Sequence, residues 1–417
     1  MIALKLNKNY TVSYKPSYEN GWLFIFNNVL MRLKRVILIV GLSTLFLMRI
    51  NGQDYKSIEK NYSNGFLKEK YSCRINGIDT VKSGRYFFYY SNGRLMQEGY
   101  FKNNLPDSIW INYHPNNARK SRLLYTQGLK NGEFIFWNDD GSIYQTGYYK
   151  ENRLDGMLIT YFPNGLVDSE SSYKNGFLNG ISKVFSAEGK NKLIANYVND
   201  TLDGLWMSYY DTGELNYKGR KSKGKYQDSL IVFYKNGQKQ RVSLYKNGVV
   251  EGKVLSYYQS GKLMIESNYL RGKLEGVYTE YHDNGRISET GNYINDKKQG
   301  RWETFYPNEV KHSSGEFKDG SFNGEWIVYH PNGVVKQVGM YSYGKSIGLW
   351  RYFNEMGNLV LFGQYINNLM QGVWTTFYPD GRVAAKINYI NSSSVGPVWM
   401  YDKLGKVSIR LRFDASK

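Results

Sequence analysis

Four histidines are the first residues in this chain whose chemistry could support metal binding or proton transfer: His114, His282, His312 and His330. A metal site needs several ligands around one ion. His282 and His330 lie two 24-residue repeats apart, and four strands spaced about 4.8 Å would separate them by about 19 Å. Three of the four follow the same repeated aromatic position. We therefore expect the histidines to be structural.

Paired carboxylates can do general acid–base work, and the candidate pairs are Glu275 with Glu280 and Asp139 with Asp140. The first pair brackets the start of a repeat and the second lies at a turn, and neither has a nucleophile nearby. The glycines follow the repeat and do not open a helix, as a phosphate-binding loop would. With Cys73 as its single cysteine the chain has no cysteine metal site. We expect no enzyme activity, no cofactor and no small-molecule substrate.

The elements that carry these side chains repeat every 24 residues. An aromatic residue, the invariant ring column, recurs without a gap at Tyr89, Tyr113, Trp137, Tyr161, Phe185, Tyr209, Phe233, Tyr257, Tyr281, Phe305, Tyr329, Phe353, Phe377 and Tyr401. Five residues before each lies a start glycine, replaced only by Ser108 and Asp228. A fixed period of this length is typical of repeat architectures. The chain is therefore an array of fourteen units in one register.

Each unit reads as a β-hairpin. Four residues after the invariant ring comes a second glycine, usually in an Asn-Gly or Asp-Gly pair such as Asn332-Gly333, which favours a tight hairpin turn. Twelve residues after the invariant ring a second ring column recurs, broken only by Lys221, and turn-tolerant residues follow it. Successive strands must then pair antiparallel in chain order. The sequence predicts an all-β, elongated array of about fourteen 24-residue β-hairpins, a single twisted antiparallel sheet of about 28 strands.

The chain divides into five segments by these patterns. Residues 1–30 are interpreted as an upstream extension, 31–52 as a signal peptide, 53–83 as an irregular N-terminal cap, 84–414 as the repeat array and 415–417 as a tail. The cap segment holds hairpin-like pieces that are out of register with the array. Terminal repeats are atypical because they cover an open edge.

The predicted export signal lies within residues 31–52. Residues 31–35 contain three basic side chains, and the thirteen-residue apolar core at 36–48 is too short for an ordinary membrane span. This pattern predicts bacterial-style export to the periplasm, the cell envelope or the medium, with cleavage between Gly52 and Gln53. The alternative is an uncleaved membrane anchor that starts at Met1.

Tryptophans form the candidate binding strip. Trp302, Trp326, Trp350 and Trp374 each lie two residues after a start glycine, in consecutive units. They lie an odd number of residues from the invariant ring column, so the two columns should face opposite sides of the sheet unless a bulge intervenes. One interpretation is that the rings stabilise the sheet; the other is that they form a recognition strip. The invariant ring column is expected to be the packing spine.

Charge and aromatic content bear on the partner. The net charge is +19, and residues 1–52 hold seven Lys or Arg against one acid, which leaves about +13 for the rest. An aromatic strip on a basic surface fits a protein partner, and a glycan or an anionic membrane are alternatives. Nucleic acid also suits such a surface, but the export signal argues against it.

The units resemble a known repeat. Gly324-Glu-Trp-Ile-Val-Tyr-His-Pro-Asn-Gly333 and Gly372-Val-Trp-Thr-Thr-Phe-Tyr-Pro-Asp-Gly381 are similar to the MORN-repeat variant of bacterial YwqK-type antitoxins, over about residues 84 to 414. The resemblance implies stacked β-hairpins used for protein interaction or, in some members, membrane contact, and it implies no catalytic residues. The leading hypothesis is an exported, non-enzymatic scaffold that binds a protein or an envelope component. The alternatives are an antitoxin-like inhibitor of a partner protein and peripheral contact with anionic membrane.

The export hypothesis predicts the N-terminus of the mature protein. Material purified from the envelope or the medium should begin at Gln53, because a signal peptidase cuts after a small residue such as Gly52. Intact-mass measurement checks this, with cytosolic material from a variant lacking residues 31–48 as the control. A mass that retains residues 31–52 would support the uncleaved anchor instead.

Overall fold

The computed structural model describes residues 55–76 and 79–413, and all regular structure in these ranges is β. The 34 strands belong to one sheet, in which the pairings from β3 onward are antiparallel between chain neighbours. Among the described residues, no helix has the length and hydropathy needed to cross a membrane.

The strand bounds follow the repeat. The strands are β1 (Tyr55–Asn61), β2 (Leu67–Asn76), β3 (Asp79–Tyr89), β4 (Leu95–Lys102), β5 (Leu105–Tyr113), β6 (Arg119–Thr126), β7 (Leu129–Lys130), β8 (Gly132–Trp137), β9 (Ile143–Lys150), β10 (Arg153–Leu154), β11 (Gly156–Tyr161), β12 (Val167–Lys174), β13 (Phe177–Phe185), β14 (Asn191–Val198), β15 (Thr201–Tyr209), β16 (Leu215–Ser222) and β17 (Lys225–Phe233). They continue as β18 (Lys239–Lys246), β19 (Val249–Tyr257), β20 (Leu263–Leu270), β21 (Lys273–Leu274), β22 (Gly276–Tyr281), β23 (Ile287–Ile294), β24 (Lys297–Phe305), β25 (Lys311–Lys318), β26 (Ser321–Tyr329), β27 (Val335–Ser342), β28 (Lys345–Phe353), β29 (Leu359–Ile366), β30 (Leu369–Phe377), β31 (Val383–Ile390), β32 (Ser393–Ser394), β33 (Gly396–Tyr401) and β34 (Val407–Phe413).

The predicted fold class is confirmed. Four strands, β7, β10, β21 and β32, have only two residues, and a one-residue break separates each of them from the strand that follows. The strands β1 and β2 precede the array. The remaining described strands number 28, two for each of fourteen units. The described residues form two units, one of residues 55–57, 73–76 and 79–81, and one of Ile58–Ser72 with residues 82–413. In the first, the Cys73 thiol lies 3.6 Å from the carbonyl oxygen of Lys56; the second holds the repeat array.

Two kinds of turn alternate along the chain. In the Asn-Gly turn, the Gly333 N–H donates to the His330 carbonyl at 2.8 Å and the His330 N–H to the Val334 carbonyl at 2.7 Å. Gly333 has φ of 86°, so the loop has three residues and ends in the left-handed region that glycine favours. In the other turn Asn367 and Asn368 both have positive φ, as a two-residue type I′ turn requires.

The register assigns each column to a face. Residues that pair across strands share a face, and neighbours along a strand alternate. Trp350 pairs with Gly363, and Leu349 pairs with Gln364. We call the tryptophan side face A and the opposite side, which carries Leu349, face B. The second ring column lies on face A and the invariant ring column on face B, where Phe377 contacts Phe362 at 5.8 Å between ring centroids.

A chain of ring contacts runs along face A between β22 and β31. Its successive contacts are Tyr278–Tyr293 at 5.4 Å, Tyr293–Trp302 at 5.2 Å, Trp302–Phe317 at 5.9 Å, Phe317–Trp326 at 5.4 Å, Phe322–Trp326 at 4.5 Å, Phe322–Tyr341 at 5.1 Å, Tyr341–Trp350 at 5.1 Å, Trp350–Tyr365 at 5.8 Å, Tyr365–Trp374 at 4.9 Å and Trp374–Tyr389 at 6.5 Å. Most are edge-to-face, the geometry that aromatic quadrupoles favour. The packing spine therefore consists of the tryptophan and second ring columns, and the expectation that the invariant ring column forms it is corrected.

A third glycine column makes room for the indoles. A Cβ placed on Gly291, Gly315, Gly339 or Gly363 would lie 2.0–2.3 Å from the nearest ring atom of the tryptophan eleven residues later. Each indole therefore lies against the backbone of the preceding strand, a close approach that only glycine permits. Where the second ring is missing, the Lys221 ammonium lies 4.6 Å from the Tyr226 ring centre and supplies a cation–π contact in its place.

Gly315→Ala tests this close approach. The added methyl group would overlap the Trp326 indole, so we expect a loss of about 1–3 kcal/mol in the free energy of unfolding. The control Ser267→Ala changes the same column where a Cβ is already present, and it should cost much less. Because arrays unfold in parts, hydrogen exchange of β25 and β26 is the suitable measurement. The pair G315S/W326V reproduces the natural Ser243–Val254 pair, so adding Gly315→Ser to Trp326→Val should cost much less protection than adding it to the wild type. An equal cost in both backgrounds would contradict the steric account.

Candidate functional site

The four tryptophans of the candidate strip are buried on face A. Trp302, Trp326, Trp350 and Trp374 are 1%, 8%, 3% and 2% exposed. Three of the indole N–H groups donate to backbone carbonyls of the preceding strand, at Asn292 (3.1 Å), Glu316 (3.0 Å) and Gln364 (3.2 Å). The Trp350 Nε1 is buried without a hydrogen-bond partner among the described residues. These positions favour the interpretation that the rings stabilise the sheet, because a stacking ligand has little ring surface to reach.

The histidines join neighbouring units. The Nε2 atoms of His114, His282 and His330 lie 2.9–3.1 Å from the carbonyl oxygen of the invariant ring one unit later. Tyrosine occupies this slot in other units, and the Tyr306 hydroxyl donates to the Tyr329 carbonyl at 3.0 Å in the same way. Tyr62 repeats the bond to Tyr89 at 2.7 Å, so the turn of the expected N-terminal cap uses the same device. Histidine here replaces tyrosine as a donor between units.

The carboxylates considered for acid–base work also have structural partners. Glu275 accepts the Asn295 N–H at 2.9 Å, across the type I′ turns of adjacent units. Glu280 accepts the Tyr278 hydroxyl at 3.1 Å; burial, followed by the charge of Glu280, raises the pKa of Tyr278 above its ordinary range. Hydrogen bonds from Ser142 lower the pKa of the Asp140 carboxyl. In the part of the chain that the structure describes, no three His, Cys, Asp or Glu side chains cluster as metal ligands would.

The exposed apolar surface lies on face B. The residue directly after the start position is a half-exposed aliphatic in seven units, with exposed fractions between 37% and 56%: Ile109, Met157, Ile181, Leu205, Val277, Leu349 and Val373. We call these residues the aliphatic column. Sequence reasoning missed it, although parity with the tryptophans, one residue later, already places it on the opposite face. Exposed apolar surface that extends over several side chains is typical of an interaction site.

Two open grooves lie on face B toward the C-terminal part of the array. One, of about 490 Å³, is lined by Glu325, Ile327, Val334, Val335, Val338, Arg351, Phe353 and Gly357. The other, of about 480 Å³, is lined by Val373, Lys386, Asn388, Val395, Gly396, Pro397, Trp399 and Tyr401. Both combine apolar walls with one cation. The predicted cleavage residues Gly52 and Gln53 lie outside the described residues.

The hydrogen bond between units predicts which replacements of His330 are tolerated. His330→Tyr should leave the stability of the array nearly unchanged, because Tyr306 and Tyr378 make the same bond to the next unit. His330→Phe keeps the ring but leaves the Phe353 carbonyl without this donor, at a cost of about 0.5–1.5 kcal/mol. Urea unfolding of both variants measures the difference. Equal stability of the Phe and Tyr variants would show that the bond contributes nothing.

Comparison with known proteins bears on the repeat. Residues 82–103, 202–220, 250–270, 274–295, 322–343 and 370–391 match the MORN repeat variant family. No curated protein matches the chain. A chain of the Photorhabdus luminescens Tc holotoxin pore is 10% identical over 87% of this chain and 23% of its own length, with a TM-score of 0.16.

A chain in the crystal structure of TcdB2-TccC3 is 11% identical over 84% of this chain and 28% of its own length, with a TM-score of 0.14. The matched region thus spans about a quarter of the length of each of these two chains. TM-scores this low support no argument about the fold or function of this chain. The repeated match is the informative one, because each matched segment coincides with one hairpin unit. Six of the β-hairpin units of this chain are therefore similar to the MORN repeat variant.

Proposed function

We propose that this chain is an exported, non-catalytic scaffold that binds a protein or an envelope component along face B. The observation that carries the proposal is the aliphatic column, seven half-exposed apolar side chains at one repeated position of one face. The rings of face A are buried against each other and against glycine backbones, so they offer little surface to a partner. Repeat folds bind through the surface columns that vary between units.

The aliphatic column has the spacing of a recognition surface. Successive units lie two strands apart, so column members in adjacent units stand about 10 Å from each other. Met157, Ile181 and Leu205 occupy three consecutive units, and Leu349 and Val373 occupy two more. The array thus offers two runs of regularly placed apolar contacts. An elongated partner that lies along the face can touch several members of a run at once, and each contact adds to its affinity.

Photo-crosslinking in the native envelope tests the proposal. A benzoylphenylalanine placed at Ile181 or Leu349 should give a discrete adduct with one partner, because both side chains are exposed on face B. The matched controls carry the same probe at Asn236 and Met356, exposed residues of the Asn-Gly turns.

The control positions decide the result. Adducts from the turn positions alone would place the binding surface elsewhere, and adducts from none of the four would contradict a scaffold that binds through face B. A partner found only with a variant retained in the cytosol would contradict the exported location and favour the antitoxin-like alternative.

A further inference from the structure

The strands at the C-terminal part of the array carry no carboxylate. No Asp or Glu occurs in any strand from β27 to β34, whereas these strands contain Lys336, Lys345, Arg351, Lys386, Arg410 and Arg412. The acids of residues 335–413 are Glu355, Asp380 and Asp402, which lie in or beside Asn-Gly turns. Strands of earlier units pair opposite charges across the sheet, as Lys183 does with Glu170 at 3.2 Å.

Two of these cations lie in one row of face B. The register joins Ile327, Val338, Arg351, Phe362, Thr375, Lys386 and Trp399 in direct cross-strand pairs from β26 to β33. Arg351 and Lys386 are exposed, and neither makes an ion pair with an acid of the described chain. Three strand spacings of about 4.8 Å place their backbones about 14 Å apart.

Apolar surface lies between and beside the two cations. Phe362 stands in the row between them, Leu349 and Val373 of the aliphatic column lie on the same strands as Arg351 and Thr375, and each cation lines one of the two grooves. Glu325 is the one carboxylate in the groove of Arg351, and it forms no ion pair with that guanidinium. Each groove therefore has apolar walls and an exposed cation without an internal ion pair. Such a surface complements a ligand that carries both negative charge and apolar groups.

We propose that this surface, the Arg351–Lys386 row, docks an extended acidic segment of a protein partner. In an extended segment, residues four apart are separated by about 14 Å and point to the same side, which matches the spacing of the two cations. Two carboxylates at i and i+4 would meet Arg351 and Lys386, and an apolar side chain at i+2 would pack on Phe362. This inference rests on the proposed function and specifies the chemistry of its partner.

A protein segment fits this surface better than a lipid surface or a nucleic acid. The grooves lie on the face of the sheet, and the two cations belong to strands and not to turns. Exposed apolar residues such as Ile366 and Leu369 flank the polar turn tip at Asn367 and Asn368, and the vesicle arm of the test below separates docking on lipid from docking on a protein. Nucleic acid would need cations at many phosphate positions, and the row provides two.

Binding of a labelled peptide tests the proposal. The probe is a fluorescein dodecapeptide of mainly Thr, with Glu at positions 5 and 9 and Leu at position 7, and fluorescence anisotropy with the full chain measures its Kd. The twin peptide with Gln at positions 5 and 9 should bind at least about tenfold more weakly, because it lacks the two charges. R351Q/K386Q should weaken binding of the Glu peptide by a similar factor.

The control variant K102Q/K174Q removes the same charge from exposed strand ends in early units and should change Kd less than about twofold. Equal binding of the two peptides, or equal effects of the two double variants, would overturn the proposal. Preferential binding to phosphatidylserine vesicles or to a single-stranded oligonucleotide, lost in R351Q/K386Q, would overturn it as well. A crosslinked face B partner together with no peptide binding would leave the scaffold function standing and reject only the acidic segment.

Discussion

The structure depends on one packing constraint: the described sheet must bury its side chains against its own strands. Face A meets this constraint by laying an indole on the backbone of the preceding strand and standing the second ring edge-on beside it. Trp302 reaches 1% exposure in this way without covering from another layer of secondary structure among the described residues. Close approach requires glycine beneath the ring, so the tryptophans and the third glycine column form one device.

Hydrogen bonds between side chains and backbone, along the two rows of turns that form the long edges of the sheet, hold the units in phase. On one edge, the Tyr or His after the invariant ring donates to the next unit, and the Asn332 amide donates to the Glu355 carbonyl at 2.8 Å. On the other, Glu275 and its equivalents accept N–H groups of the following type I′ turn. These bonds join groups 20 to 23 residues apart, so the spacing of 24 residues is fixed by geometry on both edges. An insertion in one unit would break its bonds to both neighbours.

Much of this architecture could be predicted from the sequence, because it rests on period and turn chemistry. Strand number, antiparallel order and the opposite facing of Trp326 and Tyr329 follow from spacing alone. Three features did not follow. The third glycine column becomes apparent only once Gly315 is known to lie under Trp326. The donor role of His330 becomes apparent only once its partner in the next unit is known. The exposure of Val373 depends on the absence of a covering layer over face B among the described residues.

Face A and face B therefore answer to different physical demands. A substitution on face A changes contacts with two neighbouring strands, so its identity is limited by packing, as the pairing of Trp with Gly shows. Exposed face B positions such as Leu349 or Arg351, unlike the invariant rings on the same face, can change from unit to unit at little cost in stability. Binding specificity in such an array belongs where variation is tolerated. The acid-free strands from β27 onward are the longest departure from the mixed charges of earlier units, so function is best sought there.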